Sequence, residues 1–273
     1  MHTKHDALGE RMKKYEYVTR DHLLPRSAVI VRIDGCHFHS FTKGFQKPED
    51  PILTKAMRLT AQYLCKNVQN CKLSFQQSDE ISLLLTDYDN LNTCAWFDNN
   101  IQKIASVTAS IATMAFNWYF RELVVNRYLF EYAKIPTTPY GNDRVFTDEL
   151  ITDIRDPDES IVKKATFDCR CFNLPKEEVT NYFYWRQLDA TRNAILTLGQ
   201  QHYTQKQLHS KSCKEIKEML LKEKGIDFEK EPTSYRRGTC CVKQDDKWTI
   251  DTEIPTFKGN GREYIDKLVF IGD

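Results

Sequence analysis

The chain lacks any apolar run approaching the roughly 20 residues that a membrane-spanning helix requires, so no membrane association is expected. It also lacks net charge. Its 39 Lys and Arg stand against 38 Asp and Glu, a formal +1, which excludes gross positive charge as a means of holding nucleic acid and leaves room only for a local basic groove. No Cys-x-x-Cys pair occurs and no Cys/His cluster has zinc-finger spacing. The nine cysteines therefore read as small buried side chains in a reduced compartment, with neither a disulfide framework nor a metal cage. The opening residues, Met1-His2-Thr3-Lys4-His5-Asp6, have no apolar core like that of a signal peptide. Early acids at Asp6 and Glu10 are of a kind that transit peptides avoid, so a cytoplasmic protein is expected. There is no internal repeat and no low-complexity tract.

What is present is a chain of 273 residues, 41% hydrophobic and 12% aromatic, enough for one large domain or a compact domain with an appended module. The β-branched run Ala28-Val29-Ile30-Val31-Arg32-Ile33 reads as a strand that stops at the turn pair Asp34-Gly35. Pro51 suits the first turn of a helix reaching about Asn67, with Ile52, Ala56, Leu59 and Tyr63 at helical spacing. Two apolar segments, 73–76 and 81–86, flank Gln77-Ser78-Asp79-Glu80 and read as a hairpin with an acidic tip. A long helix rich in small residues is expected from about Asn100 to Val125. Residues 126–165, with their Pro, Gly and Asp-Pro pairs, read as a loop-rich insertion. A strand from Ala165 to Asn173 follows, then a helix from about Lys176 to Gln201.

The order βαββαβ predicts an α+β, ferredoxin-like antiparallel sheet with helices on one face. We assign 1–204 to this palm-like sheet domain and 205–273 to a C-terminal basic helical region and tail. Between Gln205 and Lys243 ten bases face six acids.

In such a sheet the first strand and the hairpin are neighbours, so Asp34 and Asp79 can approach one another. Two close carboxylates call for a cation, and magnesium commonly uses one or two, with waters and phosphates completing its shell. Two such ions can activate an attacking oxygen and neutralise a leaving phosphate. Gly35 can present its carbonyl to a metal or its N–H to a phosphate, and Glu80 can serve as an auxiliary acid. Lys47 and Lys103, each near a helix start, are candidates for a phosphate tail, and Arg32 and His39 flank the acidic pair. Asp34-Gly35 and Ser78-Asp79 are also ordinary turn sequences. Asp168 and Arg170 equally read as a pair bridging the sheet to a helix. Arg236 and Arg237, before Gly238, suit phosphate contact, and Asp189 with Arg192 and Asn193 shares one helix face.

The run Arg32-Ile33-Asp34-Gly35-Cys36-His37-Phe38-His39-Ser40-Phe41, with Lys47-Pro48-Glu49-Asp50, Gln77-Ser78-Asp79-Glu80, Phe167-Asp168-Cys169-Arg170 and Trp185-Arg186-Gln187-Leu188-Asp189, closely resembles the tRNA-His guanylyltransferase superfamily. The resemblance implies a polymerase-palm-like domain that adds nucleotides to an RNA 5′ end. It implies two Mg²⁺ ions held by Asp34, the Gly35 carbonyl and Asp79, with Ser78 and Glu80 supporting them. It implies ATP, GTP or other nucleotide contacts at Arg32, Gly35, Cys36, His37, Phe38, His39, Lys47, Ser78 and Lys103, and RNA contacts at Arg192, Asn193, Lys206, Lys211, Arg236 and Arg237. A homotetramer, a dimer of dimers that binds tRNA across subunits, is expected on the same ground.

One departure sorts the subfamily. Where eukaryotic guanylyltransferases carry His-Ile-Asn-Asn after Trp-Arg-Gln, this chain reads Asp189-Ala190-Thr191-Arg192-Asn193, which resembles the guanylyltransferase-like 3′-to-5′ polymerases that repair truncated tRNA against the opposite strand. Cys36 stands where Lys or Arg is common, and Glu49 where Asn is common, so positive charge near the nucleotide is lower. The alternatives are addition of the extra 5′ guanosine to tRNA-His, a nucleotidyl cyclase, and a non-catalytic RNA-binding palm protein.

Overall fold

The computed structural model describes residues 6–132 and 164–270. Helix α1 (Ala7–Tyr17) opens on Asp6, whose carboxylate accepts from the Gly9 N–H at 2.9 Å, and it buries no side chain. Strand β1 (Ala28–Cys36) leads through the short α2 (Phe38–Phe41) to α3 (Pro51–Asn67). That helix begins where the sequence signals it: the Asp50 carboxylate accepts from the N–H groups of Ile52 and Leu53, and Pro51 occupies the first turn. Strands β2 (Cys71–Gln77) and β3 (Glu80–Leu85) form the hairpin, followed by α4 (Ile101–Tyr132), β4 (Thr166–Leu174) and α5 (Lys176–His202).

The four strands of the βαββαβ unit lie in the order β4-β1-β3-β2, with every pairing antiparallel. The α+β, ferredoxin-like reading is borne out. Val29, Val31, Ile33, Ile81 and Leu83 point to α3 and α4 in one core. Ala28, Ile30, Leu73, Phe75 and Leu84 point to the other face, where Val179, Tyr182 and Phe183 of α5 cover them. Beyond the two helices expected on one face, the sheet thus carries a helix on its second face. The unbroken apolar run at the start of β1 is the sequence mark of a strand buried on both sides.

After α5 come α6 (Gln205–Leu208), α7 (Cys213–Lys224) and α8 (Thr233–Arg237), and then a hairpin of β5 (Thr239–Gln244) and β6 (Lys247–Asp251) before α9 (Glu263–Val269). The region 205–243 is therefore not helical throughout. Thr239-Cys240-Cys241-Val242 pairs with the open edge of β2, Leu73 opposite Val242, and extends the sheet to six strands. Asp245 and Asp246, at φ 46° and 62°, turn the chain back in the mirror-image geometry that hairpins favour. Gly238 sits at φ 81°, and a Cβ there would lie 2.7 Å from the Gln76 carbonyl oxygen, so the entry to β5 needs glycine. Cys240, Ile265 and Val269 share the core of α5 and the sheet, so hydrophobic packing crosses residue 204.

Helix α4 runs to Tyr132, past the expected end at Val125. Of the expected insertion 126–165, residues 133–163 lie outside the described residues. Where the chain is described again, Asn117 holds it: its Nδ2 donates to the Ala165 carbonyl at 2.8 Å and its Oδ1 accepts from the Ala165 N–H at 2.9 Å.

Candidate active site

Strand alternation puts Asp34, Arg32 and Ile30 on the α5 face of β1. In register, Asp34 lies between Glu80 on β3 and Asp168 on β4, and Arg32 lies between Ser82 and Arg170. A row of three carboxylates therefore crosses the end of the sheet, with two arginines in the row behind. Asp79 sits next to this row on the two-residue turn of the hairpin, where Ser78 takes φ 48° and the Gln76 side chain donates to its carbonyl at 2.9 Å.

The acids are not equivalent. Glu80 is buried, and the Arg186 guanidinium grips it as a fork, Nε at 2.7 Å from Oε1 and Nη2 at 2.8 Å from Oε2. Arg32 approaches the Glu80 Oε2 at 3.5 Å and the Asp34 Oδ2 at 3.9 Å. Burial pushes the Glu80 carboxyl up while both guanidinium groups pull against it. Burial also pushes the Asp79 carboxyl up, and the neighbouring Asp34 charge adds to that. The Asp34 charge acts on both Glu80 and Asp79, and Asp34 and Asp79 are the two that no guanidinium grips as a fork. Asp168 and Arg170 pair with one another along β4 at 3.2 Å and do not bridge to a helix.

Among the described residues no group of three or more His, Cys, Asp or Glu side chains is arranged around a metal. Asp79, whose proton affinity the Asp34 charge helps to raise, together with Asp34 and the glycine beside it nevertheless fits magnesium's limited demand for protein ligands. Gly35 is also a packing requirement, since a Cβ there would come within 2.1 Å of the Phe38 ring. Phe38, expected among the nucleotide contacts, is a core side chain: it is buried against Phe41, Phe116 and Phe167 with ring centroids 5.0, 5.5 and 5.2 Å away. Its neighbours differ. Cys36 is half-buried with its thiol 3.7 Å from the Asp168 carboxylate, while His37, at φ 54°, and His39 are exposed.

Lys47 is exposed in the loop before α3, and its carbonyl accepts from the Gln201 side chain of α5 at 3.0 Å. Lys103 is placed elsewhere. Its ammonium lies 5.8 Å from the Phe97 ring centroid, and α4 reaches the level of Gly35 only at Thr113, whose hydroxyl accepts from the Phe167 N–H at 3.2 Å. Ten residues of helix, about 15 Å, separate Lys103 from that level.

Between Lys47, Ser78, Arg58, Asn193 and Tyr235 opens a cleft of about 280 Å³. Arg58, 3.7 Å from Glu49, has a buried Nε with no hydrogen-bond partner and lines this cleft. Asp189 accepts from Arg186 at 2.8 Å and from Asn193 at 3.4 Å, and it forms an ion pair with Arg192 at 3.2 Å. Arg236 is committed inside the fold, donating to the Glu231 carbonyl at 2.8 Å and to Glu229 at 3.1 Å. Arg237 is half-buried, Lys206 is exposed, and Lys211 is paired with Glu215 at 3.4 Å. Sequence reasoning missed the roles of Arg186 and Arg58. The spacing of Arg186 and Asp189, one helical turn apart, was the one available signal for the first.

A palm-like antiparallel sheet with a pair of interacting carboxylates at adjacent strand ends defines a nucleotidyl-transfer class of protein. The particular family follows from comparison with known proteins. A family model described as tRNAHis guanylyltransferase matches residues 9–175, more than half of the chain, and the chain belongs to that family of nucleotidyltransferases. A bacterial tRNA(His) guanylyltransferase-like protein solved in complex with ATP is 40% identical, with a TM-score of 0.81 over 97% of this chain and all of that one. A bacterial protein of the same description solved in complex with GTP is 37% identical, with a TM-score of 0.73 over the same shares. The tRNA(His) guanylyltransferase of Debaryomyces hansenii is 27% identical over 85% of this chain and 81% of its own length.

Proposed function

We propose that the protein is a template-dependent 3′-to-5′ nucleotidyltransferase that restores the 5′ end of truncated tRNA. The observation that carries this reading is the interaction of Asp34 with Asp79, whose chain neighbour Ser78 lines a cleft walled also by Lys47 and Asn193. The subfamily rests on the Asp189-Ala190-Thr191-Arg192-Asn193 sequence and on the higher identity to the guanylyltransferase-like protein, 40%, than to the Debaryomyces enzyme, 27%.

Asp34, Asp79 and the Gly35 carbonyl would hold Mg²⁺, which when bound lowers the proton affinity of an attacking hydroxyl and neutralises phosphate charge. Lys47 meets the triphosphate of a nucleotide seated in the cleft, and His37 and His39, exposed just after Asp34-Gly35, are assigned to the same nucleotide. A tRNA 5′-monophosphate first attacks the α-phosphorus of ATP and releases pyrophosphate. The 3′-hydroxyl of the incoming nucleotide then attacks the tRNA 5′ phosphorus, forms the phosphodiester and expels AMP; a 5′-triphosphate end would expel pyrophosphate instead. Arg32, between Asp34 and Glu80, keeps the acidic row from repelling the phosphates. Arg192 and Asn193 face the RNA, and pairing with the opposite strand selects the base. We further propose a cytoplasmic homotetramer binding tRNA across subunits; no helix among the described residues is long and apolar enough to cross a membrane.

The test is 5′ extension with Mg²⁺ and all four nucleotides on two RNAs, a tRNA lacking its first nucleotide and a full-length tRNA-His with a 5′-monophosphate. Restoration of the truncated tRNA supports repair. Guanosine added only to full-length tRNA-His supports the maturation activity instead.

A further inference from the structure

The Arg186 guanidinium is buried, with 7% of its side chain exposed, and it has two acidic partners on different elements. One is Glu80, the residue directly after Asp79 and the first of β3; the other is Asp189, one turn further along α5. Its flat face also lies 4.4 Å from the Trp185 ring centroid. The chain of charges continues both ways. Glu80 reaches Arg32 and through it Asp34, and Asp189 reaches Arg192 and Asn193. Three guanidinium groups and three carboxylates alternate from the metal-side strand to the rim of the cleft.

A buried pair of this kind adds little stability over a well-packed apolar pair, so its value here is geometric. Only a guanidinium fork can serve both Glu80 oxygens and a third carboxylate oxygen in fixed directions, because an ammonium is a single point of charge. We propose that Arg186 is a positioning residue for nucleotidyl transfer, locking the Ser78-Asp79 turn to the face of α5 that presents Arg192 and Asn193, so that the carboxylate pair and the RNA-facing rim keep one register. The inference rests on the functional reading above and extends it to a residue that touches neither nucleotide nor RNA. Without Arg186, Glu80 keeps only the 3.5 Å contacts with Arg32 and the Ser82 hydroxyl, drawing that arginine from Asp34, and Asp189 loses its inner anchor.

The test uses the full chain and four variants, Arg186→Lys, Asp189→Asn, Glu80→Gln and the double variant Glu80→Gln/Arg186→Met. It measures kcat and KM for extension of a 5′-truncated tRNA, binding of the fluorescently labelled RNA by anisotropy without nucleotide, and thermal melting. Arg186→Lys is expected to lower kcat roughly 100-fold, the cost of misplaced reacting groups, with nucleotide KM little changed. Asp189→Asn, which spares the Glu80 fork, is expected to weaken RNA binding about tenfold, one charge-assisted contact. The double variant removes both charges of the Glu80–Arg186 fork together and leaves Arg32 with Asp34. It should melt near the wild type even where the single variants unfold early, yet remain roughly 100-fold slower. A double variant with wild-type kcat, or wild-type kcat in Arg186→Lys together with wild-type RNA affinity in Asp189→Asn, overturns the inference alone. A wild-type protein that extends no 5′ end overturns the functional reading and the inference together.

Discussion

Glu80 stands directly opposite Asp34 across the β1–β3 pair, but its carboxylate is gripped by Arg186 at 2.7 and 2.8 Å while Asp34 keeps a third of its side chain exposed and its nearest guanidinium at 3.9 Å. Two acids in one lateral row thus have different work. On the proposed reading Asp34 and Asp79 would hold the cation, and Glu80 is part of the frame.

The first prediction follows from that division. Asp34→Asn and Asp79→Asn should each cost on the order of 100- to 1,000-fold in nucleotidyl transfer with the fold retained. Glu80→Gln should instead lower stability by about 1–3 kcal/mol, because the buried Arg186 charge then keeps only Asp189 as an acidic partner. Paired activity assays and urea melts distinguish these outcomes, and a stable but inactive Glu80→Gln would contradict the assignment.

Gly35→Ala tests how tightly the site is packed. Its Cβ would fall 2.1 Å from the Phe38 ring, which is buried among Phe41, Phe116 and Phe167 and cannot retreat without disturbing them. A loss of about 1–3 kcal/mol, the usual cost of overpacking, is expected in thermal unfolding. An unchanged melting temperature would mean that the ring is free to move.

Tyr182 links α5 to the sheet, its hydroxyl 2.8 Å from the Ser82 hydroxyl, and burial pushes it up from 10.0 to about 12. The fold favours the neutral phenol, so this contribution is intact below about pH 10 and fades as pH rises through about 12. Tyr182→Phe should cost about 1 kcal/mol at neutral pH, leaving Ser82 without that partner. It should also flatten the fall of stability across the alkaline range. Parallel pH profiles for wild type and variant would refute the coupling.

Thiol reactivity should follow burial. Cys94 is exposed, Cys65, Cys240 and Cys241 are buried, and burial pushes Cys169 up to about 12 and Cys171 up to about 11. Brief alkylation near neutral pH, read by peptide mass spectrometry, should modify Cys94 first. Label on Cys240 or Cys241 in the native protein would show that β5 opens readily.

Much of the site was legible in the sequence because its signals are local. A β-branched run ending at Asp34-Gly35, a hairpin tip at Ser78-Asp79 and an Asp50-Pro51 helix start each carry their own cause. The C-terminal hairpin was obscured by its Lys- and Glu-rich surroundings, although Thr239-Cys240-Cys241-Val242 before Asp245-Asp246 is a strand and turn pattern. Arg186 and Glu80 lie 106 positions apart, so nothing in a local window joins them. Lys103 shows the converse limit. Its place near a helix start was read correctly, but α4 begins on the opposite face of the sheet from Asp34, where Ile101 meets Cys171 in the middle of β4. Phe38, set within the motif, turns out to pack inward because strand exit and a left-handed His37 aim it at the aromatic core.

The most direct test of the central claim is to vary the acceptor-strand base opposite the missing 5′ nucleotide of a truncated tRNA through A, C, G and U, and to sequence what the purified protein adds with Mg²⁺ and all four nucleotides. The account predicts that the added base changes each time to the Watson–Crick complement. Addition of guanosine whatever the opposite base would contradict it.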